Sequence, residues 1–299
     1  MWTIFNHIYD VHTGISIEQK VFCGGGGCCC PDCGVSACPD HTECCDIGES
    51  GYQSMDYSPG RVYVVGNLFH HILPFEEDPA TSFGQAVRVG YQSQVRVVNN
   101  TLYKCAQGVQ VSCVYDPYDP GDPPPNPGDC PPYADENNKS RNTSVAVMNN
   151  VVLDTPDDSS NDSHIRVCTN RSQNHPDYPF TLTEGQFDRN VHFGSYRAFY
   201  IGGLTYSSIE EVQGAQGNYA DNSKGDLPSD NPNLDDPALL SFHLRTTAPI
   251  SPTFMYTGGV KDAAYTEFEL AFPAFPNIYR DYAGQAYSGT TCAIGAFGD

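Results

Sequence analysis

The chain has 299 residues, with 15 basic and 36 acidic side chains and a formal net charge of −21 at neutral pH. That excess of negative charge excludes a protein that holds nucleic acid or an anionic membrane surface by bulk attraction, and no apolar stretch reaches the length of a membrane span. Tyr, Phe, Val, Gly, Asn and Asp are plentiful while the strong helix formers Lys, Met and Glu are thin, so an all-β chain with few long helices is expected.

Taken in order, the first apolar run is WTIFNHIY from Trp2, followed by the alternating strand GISIE from Gly14. The N-terminal stretch has no basic segment followed by an apolar run, so no signal peptide is predicted. An insertion at about 20–58 carries eight of the 13 cysteines, between Cys23 and Cys45. So many thiols point to an oxidising compartment, hence an extracellular or cell-surface protein, and to a disulfide-stapled knob. The Cys30–Cys33 spacing beside His41 is the lesser, metal-binding alternative.

VYVVGNLF from Val62, AVRVG from Ala86, VRVVNNTLY from Val95 and GVQVS from Gly108 repeat the opening pattern around a second insertion at 70–84. His70 and His71 sit at a coil end and need no function there. The next insertion, at about 114–142, is rich in Asp and Pro and resists regular structure. Its aspartates offer oxygen ligands to Ca²⁺, but their spacing fits no EF-hand. VAVMNNVVL from Val145, HIRVC from His164, QFDRNVHF from Gln186 and AFYIG from Ala198 complete the series. Sequons at Asn99, Asn138, Asn142, Asn161 and Asn170 would permit glycosylation.

The order is therefore strand, polar turn, strand, five times over, with His7, Asn67, Asn100, Asn150 and Asn190 at the turn. Val87 to Val109 is a step of 22 residues, one undecorated coil of a solenoid. A single coil cannot bury its apolar face, whereas stacked coils pair every strand above and below and align like residues in rows. Stacked Asn side chains hydrogen-bond along such a row and tolerate left-handed backbone.

VRVVNNTLYKCAQGVQVS, VAVMNNVVLD and FDRNVHF, with the closing NPNLDDPALLSFHLRTTAPI and RDYAGQAYSGTTCAIGAF, resemble the right-handed parallel β-helix proteins of the pectate-lyase-like superfamily, of the secreted bacterial type. The resemblance implies a parallel β-helix over residues 1–205 and a C-terminal tail over 206–299 that packs along it. GAQGNYADNSKGDLPSDNPNLDD reads as the loop between the two.

In each second strand the two apolar residues point inward, so those between them form an outward line at roughly 4.8 Å spacing: Ser16, Arg88, Gln110, Arg166, Tyr200. Two guanidinium groups, an amide and an aromatic ring suit an extended acidic sugar chain. The first-strand line, Thr3, Tyr63, Arg96, Ala146, Asp188, is less suggestive. Lyases on the resembling scaffold remove a proton beside a sugar carboxylate with Lys or Arg, the carboxylate neutralised by Ca²⁺ or basic groups; this makes Lys104, Arg88, Arg96 and Arg166 the catalytic candidates. The Arg-x-Lys signature of the hydrolases on that fold is missing.

The function expected is binding or processing of an extracellular polysaccharide, with lyase action on an acidic glycan as the enzymatic form. The alternative is a non-catalytic surface or adhesive protein. Because the chain starts inside a coil with no polar cap, either further sequence precedes it or a second copy covers that edge, building head-to-tail filaments.

Overall fold

A computed structural model describes residues 1–18, 61–74, 84–90, 94–112, 144–156, 162–167, 187–194, 199–201 and most of 204–297. The Cys-rich and Asp/Pro-rich insertions, and Cys113, lie outside the described residues. Cys105 itself is a buried thiol.

Strands come in triplets. The first is β1 (Trp2–Ile4), β2 (His7–Tyr9) and β3 (Thr13–Glu18); the second is β4 (Arg61–Val65), β5 (Leu68–Ile72) and β6 (Gln85–Gly90). The third is β7 (Gln94–Val98), β8 (Thr101–Cys105) and β9 (Gln107–Ser112); the fourth is β10 (Ser144–Met148), β11 (Val151–Leu153) and β12 (Ser163–Val167). The fifth is β13 (Phe187–Asp188), β14 (Val191–Phe193) and β15 (Phe199–Ile201). Like-placed strands of successive triplets pair in parallel, giving three sheets that the chain visits in rotation. The repeat thus holds three strands rather than two, because the apolar residues after each Asn turn form a short strand of their own. The fold is mostly β, as the composition predicted, and its principal sheets are parallel, as the stacked repeat predicted.

Alternation in the Val-rich strands sends one residue in two to a common interior. Val64, Val97 and Val147 align in the first sheet, and Ile15, Val87, Val109, Ile165 and Phe199 in the third. All eight belong to one core, and burying each such side chain stabilises by roughly 1.5–3 kcal/mol. Close stacking leaves no room for a side chain at Gly108, where a Cβ would overlap the carbonyl oxygen of His164.

Between the first and second sheets the turn is two residues long in every triplet, and asparagine holds its second position. The backbone N–H of Asn6 donates to Asn67 Oδ1 (2.9 Å), that of Asn67 to Asn100 Oδ1 (2.9 Å), that of Asn100 to Asn150 Oδ1 (3.0 Å) and that of Asn150 to Asn190 Oδ1 (3.0 Å). Each side-chain amide donates to the same oxygen at 3.0 Å. Two expectations are corrected here. In the first triplet the turn residue is Asn6, since His7 pairs with Leu68. The left-handed residue is the one before the asparagine: Phe5, Gly66, Asn99, Asn149 and Arg189 have φ between 54° and 66°. The ladder residue itself uses its side chain, not its backbone conformation.

β16 (Leu204–Tyr206) turns back antiparallel on β15, so the expected boundary at residue 205 falls within a strand. The helix α1 (Ile209–Gln216) follows, and its Ile209 and Val212 close the end of the core. Part of the expected crossing loop also joins the sheets. Ser223 Oγ accepts from the N–H of Asn190 (3.2 Å), ending the asparagine ladder, and Lys224 bridges Val191 in parallel.

The remaining residues cover two of the three outer faces. β17 (Leu234–Asp236) and β18 (Ser241–Leu244) form a hairpin whose Leu234 and Phe242, with Ile250, Met255 and Ile294, pack on Leu68, Tyr103 and Val151 of the second sheet. β19 (Gly259–Val260), α2 (Ala263–Ala271) and β20 (Thr291–Cys292) bring Ala264, Tyr265, Ile278, Tyr279 and Cys292 onto Tyr63, Val98, Ala146 and Met148 of the first sheet. Asn99 lies beneath this layer, its Nδ2 donating to Ala293 O at 2.6 Å. A glycan therefore has no room on the Asn99 sequon in the folded chain. Among the described residues no helix is long and apolar enough to cross a membrane.

The ladder yields a stability prediction. In Asn100→Ala the N–H of Asn67 loses its acceptor, and the bond from Asn100 Nδ2 to Val64 O (3.0 Å) is also lost. At about 1–3 kcal/mol for each buried group left without a partner, denaturant unfolding should show several kcal/mol of destabilisation. Asn6→Ala, at the exposed end of the ladder, should cost under about 1 kcal/mol.

Candidate functional site

Among the described residues, neither tail layer includes a residue of the third sheet. Its register brings the predicted line together: Ser16 pairs with Arg88, Arg88 with Gln110, Gln110 with Arg166, and Arg166 with Tyr200. The flanking Val87 and Val89, Val109 and Val111, and Phe199 and Ile201 are all in the core, so the residue between each pair faces outward.

The line is held by neighbours of the same sheet. Gln85 Nε2 donates to Gln107 Oε1 at 2.9 Å and to Gln110 Oε1, while Arg88 Nη1 donates to Gln85 Oε1 at 3.3 Å. Gln85 thus links the second and third triplets and orients Arg88 and Gln110 together. The Arg166 guanidinium carbon stands 4.2 Å from the centroid of the Tyr200 ring, a cation–π contact that fixes the plane of the guanidinium. Its Nε is buried and has no hydrogen-bond partner among the described residues. Two guanidinium groups, an amide and a ring thus stand in one row of the third sheet.

The other predicted residues are placed elsewhere. The first-strand line is in register as Trp2, Tyr63, Arg96 and Ala146, whereas Thr3 pairs with Val64 and Asp188 with Met148. That face is covered. Arg96 Nη1 bonds Asp262 Oδ2 at 2.7 Å, and Asp262 caps α2 by accepting from the N–H of Ala264 at 2.8 Å. Arg96 is therefore a docking residue of the tail and is not displayed to a ligand. Lys104 is exposed at the corner between the second and third sheets, in left-handed backbone with φ 50°, its ammonium 5.2 Å from the Tyr103 ring. It belongs to a different row from Arg88 and Arg166.

That corner row was missed by sequence reasoning. Asp10, His71, Lys104 and Asp154 each follow a member of one paired rung, Tyr9, His70, Tyr103 and Leu153, and all four are left-handed, with φ of 50–54°. Burial raises the Asp154 carboxyl above its usual range, and nearby Lys104 opposes the shift. Asp154, Asp235, Arg245 and Tyr103 line a cleft of about 400 Å³.

At the first two triplets the corner carries a histidine cluster. His7 Nε2 lies 2.8 Å from His70 Nε2, and His70 Nδ1 lies 2.9 Å from His71 Nδ1. The His70 ring stacks on Tyr9, with centroids 5.0 Å apart and planes within 10°. Burial, then the neighbouring His7 and His71, push the His70 imidazole down to about 4, so it is neutral at neutral pH. The signal in the sequence was the His70–His71 pair, but its partners could not be named without the register that sets Asp10 beside it.

Comparison of the chain with protein-family models, with curated protein sequences and with solved structures finds no match.

The docking role of Arg96 is testable. Arg96→Ala leaves the buried Asp262 carboxylate without its counter-charge, which should cost about 2 kcal/mol, less than a fully buried pair because Arg96 is partly exposed. Hydrogen exchange should rise in residues 259–271, while that of the third sheet stays unchanged.

Proposed function

We propose that this chain is an extracellular right-handed parallel β-helix that binds an acidic polysaccharide along the outer face of its third sheet. Support for the helix comes from the rotation of the chain through three parallel sheets and from the resemblance carried by the Asn-turn segments. Support for location comes from the 13 cysteines. The observation that carries the binding reading is the in-register, half-buried line Arg88, Gln110, Arg166, Tyr200, which neither tail layer includes among the described residues. Carboxylates accept bidentate bonds from guanidinium groups, and the Tyr200 face offers a stacking surface to a sugar ring. Spacing along the line follows the strand separation of roughly 4.8 Å, so a chain laid along it meets one side chain per strand.

In its enzymatic form the proposal is a lyase, in which Arg88 or Arg166 in its neutral form takes the proton beside the carboxylate while the adjacent glycosidic C–O bond breaks and the departing sugar oxygen takes a proton from water; Ca²⁺ would serve as an added counter-ion, and Lys104, on the corner row, is the third basic candidate. The non-catalytic reading, copies joined head to tail through the first triplet, needs an open strand edge at both ends. Among the described residues β1, β2 and β3 each pair on one side only, but β16, α1 and Ser223–Gly225 occupy much of the other end. That asymmetry favours the binding face over the filament.

Affinity electrophoresis in gels containing uronate polymers tests the proposal, run with and without Ca²⁺ and against a neutral glucan. Wild-type protein should be retarded by the acidic polymer alone, less so at high salt. Arg88→Ala and Arg166→Ala should each weaken binding about tenfold or more, as expected for charge-assisted bonds, and Tyr200→Ala by a smaller factor. Equal mobility in all gels would refute binding. Ultraviolet absorbance of unsaturated product, lost in Arg88→Ala or Arg166→Ala, would assign the lyase step; binding without product would restrict the function to attachment.

A further inference from the structure

We propose that Asp10, His70 and His71 form a site for a divalent transition-metal ion, zinc-like in its ligands, on the corner between the second and third sheets. One ligand atom from each of the three residues lies within 4.8 Å of the other two. The set is assembled by stacking. Tyr9 pairs with His70 in neighbouring strands, which sets Asp10 beside His71 one rung away. The N–H of Asp10 donates to the His70 carbonyl at 3.4 Å, tying the two corners together.

Left-handed backbone at both corners, with φ of 51° at Asp10 and 54° at His71, holds these two side chains at the exposed edge while His70 stays buried beneath them. A ligand set with one buried and two accessible members admits an ion from solvent and leaves coordination positions open to water.

The distances fit a small ion after a small opening. Metal–nitrogen bonds of about 2.0–2.1 Å in tetrahedral geometry put donor atoms roughly 3.3 Å apart. His70 Nδ1 and His71 Nδ1 are 2.9 Å apart, joined by a hydrogen bond whose proton the ion would displace. The other nitrogen of His70 is already held by His7 at 2.8 Å, and its ring is clamped against Tyr9. A ligating imidazole whose second nitrogen is hydrogen-bonded in this way is fixed in tautomer and orientation. Two imidazoles and one carboxylate suit zinc, cobalt or nickel and are poor ligands for Ca²⁺, which takes six or more oxygens. The site is thus separate from the Ca²⁺ considered for the polysaccharide face.

Cobalt(II) is the probe, because it reports its ligands: histidine and carboxylate give visible d–d absorption alone, whereas cysteine thiolates add a near-ultraviolet charge-transfer band. The full chain is stripped with chelator and titrated with Co²⁺. Expected is one equivalent bound with d–d absorption and no thiolate band, weakened at least tenfold in His71→Ala and in Asp10→Ala, with circular dichroism unchanged in both. Zinc should displace the cobalt. A spectrum carried only by thiolate bands, binding undiminished in both variants, or no bound cobalt would each overturn the assignment. Because neither residue touches the Arg88 to Tyr200 line, polysaccharide retention should survive both substitutions, so the two proposals fail separately.

Discussion

Parallel stacking leaves the turn between the first two sheets with backbone N–H groups that no strand takes up, and the asparagine side chains absorb them. From Asn67 to Asn190 each Oδ1 receives two donors from the asparagine one triplet earlier, and each Nδ2 has a fixed acceptor, so the row is satisfied as a unit. Buried groups of this kind are costly when one partner is missing. The ladder consequently ties the triplets to one register. Every outward line on the molecule, the arginine row on the third sheet and the histidine corner alike, inherits its alignment from that constraint.

Charge is distributed to match. The tail uses Arg96 against Asp262, and Tyr63 donates its hydroxyl to Glu267, in seating α2 on the first sheet. The second sheet is covered by an aromatic and aliphatic layer built on Phe242, Met255 and Ile294. Among the described residues neither tail layer includes a residue of the sheet carrying Arg88 and Arg166. In a chain with net charge −21, two guanidinium groups in one row are a local departure from the overall sign of the charge.

Much of this was legible in the residues, and the reason is local. On the third sheet the pairs Val87 and Val89, and Val109 and Val111, announce their own inward phase, so the line between them follows without a structure. On the first sheet the phase failed at both ends. WTIF and FD lack the repeated Val-x-Val, and a slip of one residue exchanges inner for outer faces; Thr3 and Asp188 were misplaced in that way, and His7 was taken for Asn6. The second sheet stayed invisible as a sheet because its strands, three to five residues long, are too short and too irregular to show alternation. The histidine corner was beyond reach for a further reason: Asp10 and His71 are separated by the Cys-rich insertion, and only strand pairing makes them neighbours.

The lengths of the connections carry a consequence for how such a chain can change. Between first-sheet and second-sheet strands there are two residues in each of the five triplets, whereas the second-to-third connections run from 1 to 12 residues and the third-to-first ones from 3 to 42. The molecule has one seam that counts residues and two that do not. Closing a longer loop adds entropy cost only slowly, so new sequence can collect at the two permissive seams, thiol-rich in one place and proline-rich in another. The counting seam, meanwhile, keeps residues 88, 110 and 166 in line.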